Sequence, residues 1–225
     1  MARSAGAGLS LLGGLLVALA LVGPAPADGR APSPTPRPAS AGDAASAADR
    51  LYERLGLDGV LDREAFAAAH ARLVAEDPTA TTLAVADMRR PSTEQRLVLL
   101  DLEQARVLLR TWVAHGSGSG GLLATRFGNR PDSHQTSLGL YRVGARIRSP
   151  KHGPALLLDG LDPGRNDRAR AREIIIHAAD YVSAAFIAQT GRLGRSWGCP
   201  AVPHDQMAAV IEAFADGGYL FVHGA

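Results

Sequence analysis

A chain of 225 residues with 24 Lys and Arg against 22 Asp and Glu carries a formal charge of only +2, which excludes nucleic-acid binding through a dominant basic surface. With 46% hydrophobic and 20% charged residues it has the composition of an ordinary globular protein, long enough for one domain with a real core and at most a small appendage. Twenty-five glycines and fourteen prolines with 5% aromatics indicate a chain rich in turns.

The N-terminus reads as an export leader. Arg3 supplies a positive start, Leu9 to Val22 is apolar, and Ala25-Pro-Ala27 fits a small-x-small cleavage site, which sets the expected signal peptide at residues 1–27. The apolar stretch is shorter than the ~20 residues a spanning helix needs, so cleavage, not anchoring, is expected. No cysteine stands near that site to carry a lipid. The expected mature chain has no stable membrane insertion and resides in a periplasm or cell wall. Residues 28–48 are rich in Pro, Ala and Ser, with almost nothing to bury, and are expected to be a disordered tether.

A short helical prefix is expected over 49–79. Asp49 to Leu55 reads as a helix capped by Asp49 and ended by Gly56. Asp62 to Glu76 reads as a second helix, with Phe66, Ala69 and Leu73 on one stripe and Asp77-Pro78 stopping it. His70 on this helix is expected to pack or to face solvent.

Residues 80–225 are expected to form the main domain. Thr81 to Ala86, Arg96 to Leu102 and Ala105 to Ala114 read as strands, the last two joined by a turn at Glu103-Gln104. Gly116-Ser-Gly-Ser-Gly-Gly121 is expected to be a flexible loop; it lacks the lysine and the strand–helix context of a phosphate site. Further strands are expected in Phe127 to Val143 and at Ala155 to Asp159, with a buried strand at Ile174 to Ile176 delivering His177. Met207, Val210, Ile211 and Phe214 recur at helical spacing before Gly217-Gly218, and Tyr219 to His223 reads as a closing strand. So many short strands in succession argue against a doubly wound parallel sheet. The expected class is α+β, dominated by strands: a β-sandwich or barrel-like sheet with peripheral helices.

Cys199 is the only cysteine. Exported proteins use cysteines in pairs, and a single thiol cannot form an intrachain bridge. It lies in Gly191-Arg-Leu-Gly-Arg-Ser-Trp-Gly-Cys-Pro-Ala-Val-Pro203, where glycine and proline rule out a regular helix or central strand. A buried inert cysteine is the plain alternative, but a polar turn is a poor place for one. A thiol in such a turn with His177 upstream suggests a nucleophile and its base.

These residues resemble the YkuD-type L,D-transpeptidases, in which a histidine precedes a Ser-x-Gly-Cys turn, and most nearly the murein L,D-transpeptidase catalytic-domain branch. The resemblance spans residues 80–223. It is carried by Phe127-Gly-Asn129, Thr136-Ser-Leu-Gly-Leu-Tyr141, Leu158-Asp-Gly-Leu161, Asn166, Ile175-Ile-His177, Tyr181-Val-Ser183 and above all Gly191 to Val202. Two positions depart from the pattern. Proline follows the cysteine, where better-known members carry an aliphatic residue and then Arg or Asn, and Ala178 stands where this branch often has glycine.

The resemblance implies a cysteine acyltransferase acting on peptidoglycan stem peptides. Cys199 would attack the carbonyl that precedes a terminal D-amino acid, with His177 as base, and an amine of a second stem would resolve the thioester into a cross-link. The carbonyl of Ala178 would hold the histidine ring, and the N–H groups of Trp197, Gly198 and Cys199 are candidates for the oxyanion hole. Arg192 and Arg195 either bind stem carboxylates or are solvated. Ser196 orients the turn or the histidine, or is structural; Asn129, Ser137 and Tyr141 contact substrate or support the turn. Trp197 is a lid or a packing residue. Carbapenem-type β-lactams are the expected covalent inhibitors.

Four other readings compete. His115, His134, His152, His204 and His223 form no HExxH or close ligand pair, so neither metal nor other cofactor is expected. A papain-like peptidase would place its histidine far downstream of the cysteine. The same Cys–His site could hydrolyse, as an L,D-carboxypeptidase, or the chain could be a non-catalytic wall-binding module, although it lacks short repeated motifs.

Overall fold

In a computed structural model, residues 41–225 are described, with side chains from residue 47. The expected signal peptide and most of the expected tether lie outside the described residues. Among the described residues no helix is long and apolar enough to cross a membrane.

The first helix, α1, spans Ala41–Arg54 and so begins ahead of Asp49, which lies within it and pairs with Arg63 at 3.0 Å. The alanine-rich run from Ala44 to Ala48 has the highest helix propensity available, and Ala48, Tyr52 and Leu55 give the helix a face to bury. Helix α2, Arg63–Glu76, is capped as expected: Asp62 accepts the N–H of Ala65 at 3.1 Å, and Ala65, Phe66, Ala69 and Leu73 are buried.

Eight strands form one sheet: β1 Thr82–Asp87, β2 Leu97–Asp101, β3 Arg106–Thr111, β4 Gly139–Ser149, β5 Gly153–Gly160, β6 Ile175–Ala178, β7 Ala201–Val202 and β8 Tyr219–His223. Their order is β3-β2-β1-β8-β4-β5-β6-β7. Only β1–β8 and β6–β7 are parallel, so the doubly wound alternative is excluded as expected. The sheet curls until the chain beyond β3 meets the opposite edge, with the Ala114 N–H donating to Ala201 O at 2.8 Å. The result is a nearly closed barrel-like sheet with helices α1, α2, α3 (Ala184–Thr190) and α4 (Met207–Ala213) around it.

Period-two alternation divides the strands between two cores. Ala84, Ala86, Leu97, Leu99, Leu220 and Val222 point to the barrel interior, where Met207, Val210 and Phe214 from the α4 region join them. Leu83, Val85, Val98, Leu100 and Leu140 point outward and are covered by α1 and α2. The helices expected as a prefix therefore share a core with the sheet, and Arg72 ties α2 to Asp162 at 2.7 Å.

The run expected to be a flexible loop is instead packed. Gly116 N–H donates to Thr136 Oγ1 at 2.9 Å, Ser117 N–H donates to Ser196 O at 2.8 Å, and Ser119 is fully buried. Glycine is required at 116, where a β-carbon would lie 2.2 Å from His134 O and 2.9 Å from the Cα of Gly198. The loop is a bed for the cysteine turn.

Candidate active site

Strand β6 runs between β5 and β7, with His177 opposite Ala155 on one side and Ala201 on the other. His177 thus lies within the strand, one residue short of its end. Alternation sends Ile176 and Ala178 into the barrel core while Ile175 and His177 line a cavity of about 810 Å³. Cys199, two residues before β7, lines the same cavity.

The turn carrying Cys199 is held by backbone bonds to neighbouring segments and by side-chain hydroxyls that bond its backbone. Gly194 N–H donates to Tyr181 O at 2.8 Å and Ser196 N–H to His115 O at 3.1 Å. Ser196 Oγ donates to Cys199 O at 2.6 Å and accepts from Gly198 N–H at 3.1 Å, closing the turn on itself. Thr136 Oγ1 donates to Gly198 O at 3.4 Å. Gly198 has φ 119°, a conformation open to glycine alone, and a β-carbon there would meet Gln135 O at 2.7 Å and Arg172 Nη2 at 2.9 Å.

The ring of His177 is fixed on two sides. Its Nδ1 lies 2.8 Å from Ala178 O; a carbonyl only accepts, so Nδ1 carries the proton and Nε2 is the free acceptor. His152, from the tip between β4 and β5, stacks on it at a ring-centroid distance of 3.8 Å. Burial pushes His177 down to about 4, with Ala178 O opposing and His152, Lys151 and His204 adding to the shift. Burial likewise raises the Cys199 thiol, against the pull of the Ile175 N–H and the Arg172 charge. The resting pair is a neutral thiol and a neutral imidazole.

The remaining residues separate clearly. Arg195 and Ser196 line the cavity; Arg195 donates to Gly120 O at 2.9 Å, and Ser196 serves as the turn's internal clasp. Trp197 stands at the rim, 68% exposed, between the ring of His134 at 4.8 Å and the Lys151 ammonium at 5.1 Å, so it does not pack into the core. Arg192 is outside the cavity and donates to Leu193 O at 2.7 Å. Asn129 is also outside, bonded to Asp167 at 2.6 Å. Ser137 lies behind the turn, where Arg172 reaches it at 2.5 Å, and the buried Tyr141 hydroxyl donates to Ser137 O at 2.9 Å. Both support the site from behind. The Gly198 N–H, a candidate oxyanion donor, is committed to Ser196 and unavailable for that task.

Arg172 and Lys151 join the site without a sequence signal of their own, while Thr136 stood only within a family-like run and His152 only among the histidines weighed for metal. Each lies on a different stretch from the cysteine, outside the strands, and tertiary contacts bring them together.

The family model described as the L,D-transpeptidase catalytic domain matches residues 60–223. The chain belongs to the L,D-transpeptidase catalytic-domain family. Its reach from residue 60 takes in α2 and all eight strands. Several solved structures are similar in part. An L,D-transpeptidase from Mycobacterium smegmatis is 15% identical, with TM-score 0.36, over 64% of this chain and 59% of its own. The cell-shape-determining protein Pgp2 from Campylobacter jejuni is 13% identical, with TM-score 0.43, over 64% of this chain and 47% of its own. An L,D-transpeptidase from Stackebrandtia nassauensis is 14% identical, with TM-score 0.39, over 81% and 78%. The chain thus spans about half to three-fifths of the first two. Among curated proteins, none matches.

Proposed function

We propose that this chain is an exported cysteine acyltransferase that cross-links peptidoglycan stem peptides through a thioester on Cys199. The observation that carries the reading is the shared cavity: the only thiol of the chain and an imidazole with a free Nε2 line the same 810 Å³ space, and the other ring nitrogen is anchored on Ala178 O.

The chemistry follows from those atoms. His177 Nε2 takes the thiol proton as Sγ bonds to the donor carbonyl carbon. The carbonyl oxygen gains the negative charge, and the Trp197 and Cys199 N–H groups are the candidate donors toward it, since the Gly198 N–H is spent inside the turn. When the tetrahedral adduct collapses, the C–N bond breaks and His177 gives its proton to the departing D-amino acid amine. The acceptor amine then attacks the thioester, His177 takes its proton, and the thiol is restored. A base held near 4 is neutral and ready at physiological pH, and it returns its proton readily to an amine. Export to a periplasm or wall is supported by the leader-like residues 1–27.

Intact-protein mass after incubation with a carbapenem tests the reading, because thiolate attack on the strained lactam gives a stable acyl adduct. An adduct is expected on wild type, none on Cys199→Ala, and a much slower one on His177→Ala. Incubation with muropeptides then separates dimer formation from loss of the terminal D-amino acid alone, the mark of a carboxypeptidase. A wild-type chain that forms no adduct and whose thiol reacts like a model thiol would sink the enzyme reading in favour of a wall-binding module.

A further inference from the structure

Arg172 and Glu173 belong to the polar lead-in to β6, and no motif marks them. The segment Asp162–Arg172 closes in helical turns: Glu173 N–H donates to Arg170 O at 3.1 Å and Ile174 N–H to Ala169 O at 3.0 Å, the paired bonds of a Schellman end. The left-handed position of that motif favours glycine, yet Glu173 occupies it at φ 55°. This conformation turns the Glu173 carbonyl toward the nucleophile, where it accepts from Cys199 Sγ at 3.8 Å.

Arg172 approaches from the other side. Its guanidinium donates to Gly128 O at 3.1 Å, Ser137 Oγ at 2.5 Å and Gln135 O at 2.5 Å, all uncharged acceptors, so these bonds orient its charge without neutralising it. Nη2 lies against Gly198, one residue from the nucleophile. Both residues line the cavity.

We propose that Arg172 and Glu173 form a cradle that sets the charge state of Cys199: the Glu173 carbonyl holds the resting thiol proton, and Arg172 stabilises the thiolate once that proton has passed to His177 Nε2. The proposal rests on Cys199 being the nucleophile. Arg172 is a positioning residue in this proposal, acting through the thiol. The other groups facing the thiol have different tasks. Lys151 and His152 line the cavity from the β4–β5 tip, Arg148 from β4, His177 from β6, Tyr181 from the loop beyond it and Arg195 from the turn; Arg170 is paired with Asp159, and the Glu173 carboxylate opposes Arg172 at the thiol. Lys151 is drawn to the Trp197 ring and Arg195 to Gly120 O, which leaves Arg172 as the cation fixed against the turn backbone.

The single cysteine makes the test direct, since iodoacetamide has one thiol to label. Alkylation rate against pH is measured for wild type, Arg172→Gln, Arg172→Lys and Glu173→Gly, with thermal unfolding to confirm folding. Arg172→Gln is expected to move the midpoint to higher pH and slow the reaction at neutral pH by about three- to tenfold, the lost thiolate fraction being partly offset by greater intrinsic nucleophilicity. Arg172→Lys keeps the charge without the fork and is expected to move the midpoint part of the way. Glu173→Gly keeps the carbonyl but removes a carboxylate whose charge raises the thiol, so its midpoint is expected at or below the wild-type value with no loss of folding; a midpoint above it overturns the cradle. An unchanged midpoint in folded Arg172→Gln, or equal shifts in the Gln and Lys variants, overturns the cradle; should the Gln variant not fold, an unchanged Lys midpoint overturns it alone. Failure of wild type to form a carbapenem adduct overturns the proposed function instead, so the two failures are distinct.

Discussion

Beneath α1 and α2 the sheet is sealed by Leu57, Phe66 and Leu73 against Leu83, Val85, Val98 and Leu100, none more than 1% exposed. Around Cys199 the same chain is held by Ser196, Thr136 and Arg172, each spending side-chain hydrogen bonds on backbone atoms. The first region is stabilised by non-directional apolar burial, which tolerates adjustment. The second is stabilised by directional polar bonds, which fix angles and fail individually. A nucleophile needs its carbonyls and N–H groups aimed, and directional bonds supply that.

The sharpest way to separate the regions is Phe66→Ala. It should cost about 3–5 kcal/mol in urea unfolding while the alkylation midpoint of Cys199 in the folded protein stays put. A moved midpoint would mean that the helix-covered core also tunes the site.

Acid should act on the site half. His115 and His177, each about 1% exposed, are driven down to about 4 from 6.5, chiefly by burial. Each stays neutral when folded and takes up a proton in the unfolded chain below 6.5. Their contribution to stability is therefore complete above pH 6.5 and is lost as pH falls toward 4, by at most roughly 3 kcal/mol each. Urea titrations at several pH values should show this fall, and His177→Asn should remove a large part of it. Equal pH dependence in the variant and wild type would refute the assignment.

Ser196→Ala leaves the buried Gly198 N–H unpaired, at about 1–3 kcal/mol, and loosens the turn. Carbapenem adduct formation should slow by about tenfold; an unaltered rate would show that the clasp is dispensable to the thiol. Asp62→Ala should cost only about 1 kcal/mol through loss of the α2 cap, with no change in thiol reactivity.

The legibility of the two regions differs in the same way as their chemistry. Strand alternation and the Phe66–Ala69–Leu73 stripe are local periodicities, so the β-rich domain and α2 could be read directly. The start of α1 could not: the alanine run looked like tether until Ala48 and Tyr52 had a surface to pack on. His177 and Cys199 stood out because residue type and the turn pattern mark them. The roles of Arg172, His152 and Thr136 were not legible because what matters is their partner, and each partner lies on another segment. The bond of the Gly198 N–H to Ser196 Oγ, which draws it away from the expected oxyanion role, is likewise visible only in the geometry.

By itself, then, the order of residues determined the family, the strand-dominated class and the one thiol that could act, since periodicity, glycine–proline turns and cysteine count are local properties. Tertiary structure alone decided that a packed glycine loop supports the turn, that His177 is anchored on Ala178 O and stacked by His152, and that an unneutralised arginine lies behind the nucleophile. Those are contacts between distant segments, and their energies depend on distance and burial that no sequence spacing encodes.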